Sequence, residues 1–264
     1  MKRMIDKQLV QKRFSERAKT YDQFANVQKK MADALISRIA ARPTAILEIG
    51  CGTGYLTEKL RQAFPDAHIM AVDIAEGMIA VARERLGNDR IVWRCADIEE
   101  MDILARYDLI ISNATFQWLN DAERTIARLS DALNRGGQLL FSTFGAQTFY
   151  ELHASFAAAL KQQHITEALR IGPSFPTLVE WLACCGRATS AAVRGSETFE
   201  TERFPSVRDF FLSLRHIGAT NSTTGRYCQR PSVFKAMMKE YEQRFSENGH
   251  IQATYHCLFV DITL

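Results

Sequence analysis

The chain has 264 residues, with 33 Lys and Arg against 30 Asp and Glu for a formal charge of +3, and its 47% hydrophobic and 24% charged content excludes an intrinsically disordered chain. No uncharged apolar run approaches the roughly 20 residues of a membrane-spanning helix, and the basic opening MKRMIDKQLVQKRF has no apolar stretch of the kind a secretory signal carries. The cysteines Cys51, Cys95, Cys184, Cys185, Cys228 and Cys257 form no C-x-x-C pair and no metal-ligand spacing; they read as reduced, mostly buried thiols of a cytoplasmic protein that holds no metal.

Apolar residues recur at helical spacing from Lys7 to Arg17 and from Phe24 to Ala40 (Val27, Met31, Ala34, Leu35, Ile39), and Pro43 closes this opening helical region. Short apolar runs then alternate with helical stretches. Strands are predicted at Ala45–Ile49, Ile69–Val72, Ile91–Cys95, Leu109–Ser112 and Gln138–Thr143. Helices are predicted at Gly54–Phe64, Ala75–Leu86, Glu99–Leu104 and Asp121–Leu133, with Asn134-Arg-Gly-Gly137 ending the fourth and turning into the fifth strand. Near-continuous apolar strands alternating with helices mark a mostly parallel sheet covered on both faces. Beyond Thr143 the alternation stops. Thr148–Gln163, Ser206–Ile217 and Ser232–Phe245 read as helices, and Thr198–Arg203 and Ala253–Ile262 as strands six and seven of the same sheet. The expected organisation is an N-terminal helical cap (1–42), a cofactor-binding core (43–145), and a remainder (146–264) completing the sheet with helical substrate-binding insertions, all in one compact domain.

Charge is distributed unevenly. Residues 1–42 carry eleven Lys/Arg against four Asp/Glu, residues 43–202 fourteen against twenty-one, and residues 203–245 eight against three. Two basic segments flanking an acidic middle are either solvated helix faces or a bipartite surface that steers an acidic partner. No nucleic-acid-binding motif is present, so nucleic acid is not an expected partner, and neither is a membrane.

The strongest motif is Ala45-Ile-Leu-Glu48-Ile-Gly50-Cys51-Gly52-Thr-Gly54-Tyr55, a buried strand running into three alternate glycines and a helix. Glycines there admit positive φ and close approach of a ligand to the backbone, and the helix N-terminus adds free N–H groups. A dinucleotide loop would read G-x-G-x-x-G; Tyr55 breaks that pattern and disfavours a nicotinamide-dependent dehydrogenase. E-x-G-x-G-x-G at the end of a first strand resembles the first motif of class I S-adenosylmethionine-dependent methyltransferases. The resemblance implies a Rossmann-like α/β fold with a seven-stranded sheet. It also implies a loop (Glu48, Gly50, Cys51, Gly52, Gly54) that cradles the amino-acid and sulfonium part of S-adenosyl-L-methionine, with S-adenosyl-L-homocysteine as product.

Further residues follow from this resemblance. Asp73, ending the second strand, is placed to accept both ribose hydroxyls, or to cap the next helix; Ile74 and Met78 offer apolar contact to adenine. Asp97-Ile98 lies where the family's acidic residue meets the adenine amino group, and Asn113-Ala114 lies beneath the sulfonium methyl. Phe14-Ser-Glu-Arg-Ala18-Lys-Thr-Tyr21-Asp22 resembles the F-x3-A-x2-Y-D element ahead of the core in small-molecule methyltransferases. Asn113-Ala-Thr-Phe116-Gln117-Trp118 resembles the N-x3-Q-W element of carboxylate-methylating enzymes, although Phe116 and Trp118 equally suit core packing. Leu214-Arg215-His-Ile-Gly218-Ala219-Thr220-Asn221 and Thr254-Tyr255-His256 resemble the malonyl-[acyl-carrier protein] O-methyltransferase family of biotin biosynthesis, a likeness that covers essentially the whole chain.

That family methylates the free carboxylate of a malonyl thioester, on acyl-carrier protein or as malonyl-CoA, giving the ester that primes pimeloyl synthesis. A carboxylate is ionised at neutral pH and needs no general base, and the six histidines show no catalytic arrangement. The expected substrate-binding residues are Phe116, Gln117, Trp118, Arg215 and Arg226. Arg215 is the first choice to hold the carboxylate, with Arg17 and Arg226 as alternatives. Tyr21 is expected to close the cofactor side and orient the methyl group, or else to staple the next helix. A same-fold enzyme acting on a free aconitate-like acid or a quinone precursor is the alternative activity, and a noncatalytic cofactor-binding or scaffold protein the alternative class.

Overall fold

The computed structural model describes residues 5–217 and 227–264. In chain order it contains α1 (Lys7–Tyr21), α2 (Asn26–Ile36), β1 (Ala45–Ile49), α3 (Tyr55–Ala63), β2 (His68–Asp73), α4 (Glu76–Leu86), β3 (Ile91–Cys95), β4 (Tyr107–Ser112), α5 (Ala122–Asp131), β5 (Leu133–Phe144), α6 (Tyr150–Gln162), α7 (Leu178–Ala188), β6 (Ala192–Phe204), α8 (Val207–His216), α9 (Pro231–Phe245), β7 (Ser246–Glu247) and β8 (His250–Thr263). A single 3-10 turn, Phe116–Trp118, follows β4. No helix among the described residues is long and apolar enough to cross a membrane.

The sheet runs β3-β2-β1-β4-β5-β8-β6, with the two-residue β7 paired to β8. β1 to β5 are parallel, and β8 is antiparallel to both β5 and β6. The first strand sits between β2 and β4, so the chain reverses its order of addition at the β1/β4 boundary. In open α/β sheets such a switch point leaves a crevice at the carboxyl ends of the strands. Strand period places Ile46 against α2 (Met31, Leu35) and α3 (Leu56, Leu60), while Leu47 and Ile49 join Ile126 and Leu129 of α5 and Trp181 of α7 in a second cluster. β1 is therefore covered on both faces, as its apolar sequence requires.

The α1 helix lies across α4 because Gly77 has no side chain. A Cβ there would stand 2.5 Å from the Ser15 carbonyl oxygen. Asp6 caps the helix through the Leu9 N–H, and Ile5 exchanges hydrogen bonds with the Asn120 side chain at 2.6 and 3.1 Å.

Several expectations are corrected. Glu99–Leu104 is a turn followed by an extended loop, not a helix. The Glu99 carboxylate accepts the Asn120 and Asp121 backbone N–H groups and binds Lys7, tying that loop down by side-chain bonds. Asn134–Gly137 belongs to β5, which begins at Leu133 and shifts register between the partners of Tyr107 and Leu109; α5 ends before it. β6 and β8 are longer than expected. An additional helix, α7, is set by a capping box between Thr177 and Glu180. Four cysteines are buried, whereas Cys95 is exposed and Cys184 half-buried.

Candidate active site

The three glycines of the β1–α3 loop all take positive φ, at +69°, +54° and +85° for Gly50, Gly52 and Gly54. Their reasons differ. A Cβ at Gly50 would collide with Thr115, 2.0 Å from its hydroxyl. Gly54 caps α3 in the left-handed conformation and packs on Ala82 and Leu86 of α4, away from the open crevice. A Cβ at Gly52 would meet no protein atom within 4 Å. Gly52 faces open space, where a ligand can rest against bare backbone. The loop is pinned by the Val72 carbonyl, which accepts the N–H groups of Gly50 and Cys51 at 2.7 and 3.1 Å.

Two cavities flank this loop and a third adjoins them through Tyr21. The first, about 700 Å³, is lined by Gly50, Gly52, Asp73, Ile74, Met78, Asp97, Ile98, Asn113 and Ala114, and is roofed by Lys7, Val10, Phe14 and Tyr21 of α1. Nearly the whole expected cofactor set is thus brought together. Asp73 accepts N–H groups from Gly52 at 2.9 Å and Ala75 at 2.8 Å, so it both braces the loop and steadies the start of α4. Burial nonetheless pushes its carboxyl up to about 6, against the pull of those donors. Asp97 receives Lys7 at 3.2 Å and the Glu99 N–H at 3.0 Å, both on Oδ1. Lys7 therefore latches α1 over the far end of the cavity, a contact that no motif in the chain marks.

A second cavity, about 390 Å³, adjoins the loop from the other side and contains Glu48, Cys51 and Tyr55. Glu48 is 1% exposed and neither carboxylate oxygen has a hydrogen-bond partner. Burial pushes its carboxyl up to about 8. An unpaired buried acid beside a glycine loop fits the α-ammonium of a bound amino-acid moiety. Together with the open face of Gly52 and the Asp73 carboxylate, it makes these residues a suitable host for S-adenosylmethionine. Cys51 is buried in apolar surroundings that hold its thiol well above the usual range, so it is a neutral wall.

A third cavity, about 500 Å³, is mostly apolar and lined by Phe14, Gln28, Gln117, Trp118, Phe144, Phe149, Phe175, Leu214 and Tyr255. Tyr21 borders all three cavities. Its hydroxyl is pushed far above the ordinary phenol range by burial, then by the Asp73 and Asp22 charges, so it stays protonated and acts only as a neutral group. Asp22 fixes it in place, accepting the Thr53 hydroxyl at 2.6 Å and Arg85 at 3.3 Å. Asn113 donates to the Gln28 carbonyl at 2.9 Å and accepts from Ser142 at 2.7 Å, joining α2 to the end of β4.

The expected substrate residues divide. Gln117 and Trp118 line the third cavity, but Gln117 is engaged internally, donating to the Ala114 carbonyl at 2.6 Å and accepting from Thr143 at 2.9 Å. Phe116 lines no cavity. It is 1% exposed and stacked on Phe141 with ring centroids 4.2 Å apart, a packing residue beneath the site. Arg215 is exposed in the last turn of α8. Its neighbours Leu214 and Ile217 wall the third cavity, but Arg215 does not. Arg17 is half-buried on α1 and lines no cavity. Arg226 and Gly218–Asn221 lie outside the described residues. Gln28 was not singled out by the sequence, since a glutamine on a helix has no motif to mark it.

A family model described as a methyltransferase domain matches residues 46–137. A malonyl-[acyl-carrier protein] O-methyltransferase of Anoxybacillus flavithermus is 68% identical over 263 residues, covering 100% of both chains. One from Bacillus anthracis is 49% identical, covering 98% of each. Among solved structures, the YcgJ protein of Bacillus subtilis superposes with a TM-score of 0.61 at 14% identity, over 89% of this chain and 97% of that one, a likeness of fold. With the glycine loop, the Asp73 carboxylate that braces it and an adjoining apolar cavity in place, full-length identity of this order leaves one assignment: the chain belongs to the malonyl-[acyl-carrier protein] O-methyltransferase family.

Proposed function

We propose that the protein transfers the methyl group of S-adenosylmethionine to the free carboxylate of a malonyl thioester carried on acyl-carrier protein, giving the methyl ester that primes pimeloyl synthesis for biotin. The observation that carries this reading is the position of Tyr21, at the meeting point of the two cavities that hold Asp73, Asp97 and Glu48, suited to the cofactor, and an apolar cavity suited to an acyl chain end. When bound, the cofactor supplies an electrophilic methyl on a sulfonium, and the acceptor carboxylate oxygen takes it with no proton to move.

The chain's own residues then have three tasks. Glu48, Asp73 and Asp97 hold the cofactor at its ammonium, ribose and adenine ends, with Ile74, Met78 and Ile98 against the base. Tyr21 and Asn113 fix the floor and roof where the two cavities meet. The aromatic walls of the third cavity exclude water from the carboxylate, and in-line positioning of this kind supplies on the order of 7–11 kcal/mol. No general base is required, in keeping with a Tyr21 hydroxyl and a Cys51 thiol that are both held neutral.

The finer assignments belong to the same proposal. The helices of residues 1–42 cap the cofactor, and the helices after residue 146 complete the acyl cavity. The basic segments 1–42 and 203–245 dock the acidic carrier protein, which is preferred over malonyl-CoA, in a reducing cytoplasm that suits four buried free thiols. Incubation of malonyl-carrier protein with enzyme and S-adenosylmethionine is expected to add the mass of one methylene to the acyl group. Methylation of a free tricarboxylic acid or a quinone precursor, with the malonyl group untouched, overturns the reading.

A further inference from the structure

We propose that the Gln28 side-chain amide binds the acceptor carboxylate. The inference rests on the proposed carboxylate methylation. Gln28 is 8% exposed and lies on α2, where it borders both the apolar third cavity and the Glu48 cavity, at the junction where a methyl donor and its acceptor meet. Its backbone carbonyl accepts the Asn113 amide, which fixes the residue beneath the end of β4. Its side-chain amide makes no hydrogen bond to any described residue. The amide is therefore open to a ligand in either cavity.

Two other polar side chains of the third cavity are engaged within the protein. Gln117 bonds Ala114 and Thr143. Thr148 donates to the His256 carbonyl and accepts its N–H. No Lys, Arg or His side chain lines the cavity among the described residues. Among the described residues, the donors left for an incoming carboxylate are neutral: the Gln28 amide, the Tyr21 hydroxyl and the Trp118 indole N–H.

Neutral donors also suit the chemistry. An anionic oxygen joins a cationic methyl donor, and both charges fade as the C–O bond forms and the C–S pair returns to sulfur. A guanidinium on the carboxylate would hold the charged ground state more strongly than the charge-poor transition state, which lowers turnover. An amide N–H orients the oxygen with a smaller ground-state penalty, and it releases the uncharged ester readily.

The test uses full-length Gln28→Leu, Gln28→Asn and Gln28→Glu enzymes, with S-adenosylhomocysteine binding and thermal melting as controls. Gln28→Leu is expected to raise KM for malonyl-carrier protein and for malonyl-CoA about 10- to 100-fold, the worth of one hydrogen bond to a charged group. Cofactor affinity should stay within about twofold, and melting should be unchanged or improved. Gln28→Asn keeps the amide at shorter reach and should fall between; Gln28→Glu sets like charge against the substrate and should lose most activity, with partial recovery as pH falls. Wild-type KM and kcat in Gln28→Leu overturn the proposal. So does a loss confined to cofactor affinity, which would place Gln28 in the Glu48 site. If Gln28→Leu does not fold, the Gln28→Asn kinetics decide alone. Failure of the wild-type enzyme to methylate either malonyl thioester would instead overturn the functional reading.

Discussion

Asp73 accepts the backbone N–H of Gly52 at 2.9 Å, so the carboxylate at the end of β2 also holds the middle glycine of the loop at the end of β1. A single side chain thereby couples the shape of the loop to the proposed ribose site. Asp73→Ala is expected to weaken S-adenosylhomocysteine binding by about 2–3 kcal/mol, the range for charge-assisted hydrogen bonds, and to lower the melting temperature because Gly52 and Ala75 lose their acceptor. Asp73→Asn keeps one acceptor and should lie between. Titration calorimetry showing unchanged affinity in Asp73→Ala would remove the ribose assignment.

Glu48 makes binding pH-dependent. Its carboxyl is raised to about 8 in the ligand-free protein, so it is largely protonated at neutral pH. A cationic ammonium favours the ionised form. Affinity for S-adenosylhomocysteine should therefore rise with pH up to about 8, with proton release visible as a buffer-dependent calorimetric enthalpy. The stability sign is opposite. A raised acid stabilises the fold below its unfolded value, and that stability is lost as pH climbs through about 8. Glu48→Gln should accordingly melt several degrees higher than wild type at pH 8.5 without ligand, while binding the cofactor at least tenfold more weakly. Equal melting temperatures at that pH would contradict the burial argument.

Gly77→Ala tests the seat of α1. Its Cβ falls 2.5 Å from the Ser15 carbonyl, so α1 must lift. The expected result is a several-fold higher KM for S-adenosylmethionine and faster tryptic cleavage at Arg13 or Arg17, with the sheet intact by circular dichroism. Wild-type cleavage rates would show that α1 is held by other contacts.

Arg215 lies outside the acyl cavity, and its exposure suits a docking contact. Arg215→Ala should lose activity on malonyl-carrier protein, retain it on malonyl-CoA, and show a shallower salt dependence of KM. Equal losses on both thioesters would return Arg215 to the carboxylate.

The clustering of the proposed cofactor residues was legible because its determinants are local. Glu48, Gly50, Gly52, Asp73, Asp97 and Asn113 each sit at the end of a strand, and strand ends can be read from apolar runs and glycines. The substrate half was not, because it is assembled from distant segments. Gln28 of α2 borders the same cavity as Phe144 of β5, Leu214 of α8 and Tyr255 of β8, segments far apart in the chain. Phe116 carries a motif position yet faces the core, since one 3-10 turn decides whether its ring points to Phe141 or to the crevice. The Glu99–Leu104 stretch misled because periodicity cannot distinguish a short helix from a loop tied by Glu99. The α7 helix announced itself only through Thr177 and Glu180, a two-residue signal outside any long apolar period.

The sheet's pairing also has a consequence for synthesis. β6 pairs with β8 alone, and β8 is made only after α8 and α9. During translation β6 thus waits as a thirteen-residue strand with no neighbour on either side. Such an edge invites pairing with other nascent chains. Arg194, Glu197, Glu200, Glu202 and Arg203 stud this strand with charge. They act as gatekeepers while the ribosome finishes the partner, and because β6 remains the edge of the native sheet they guard its outer side afterwards as well.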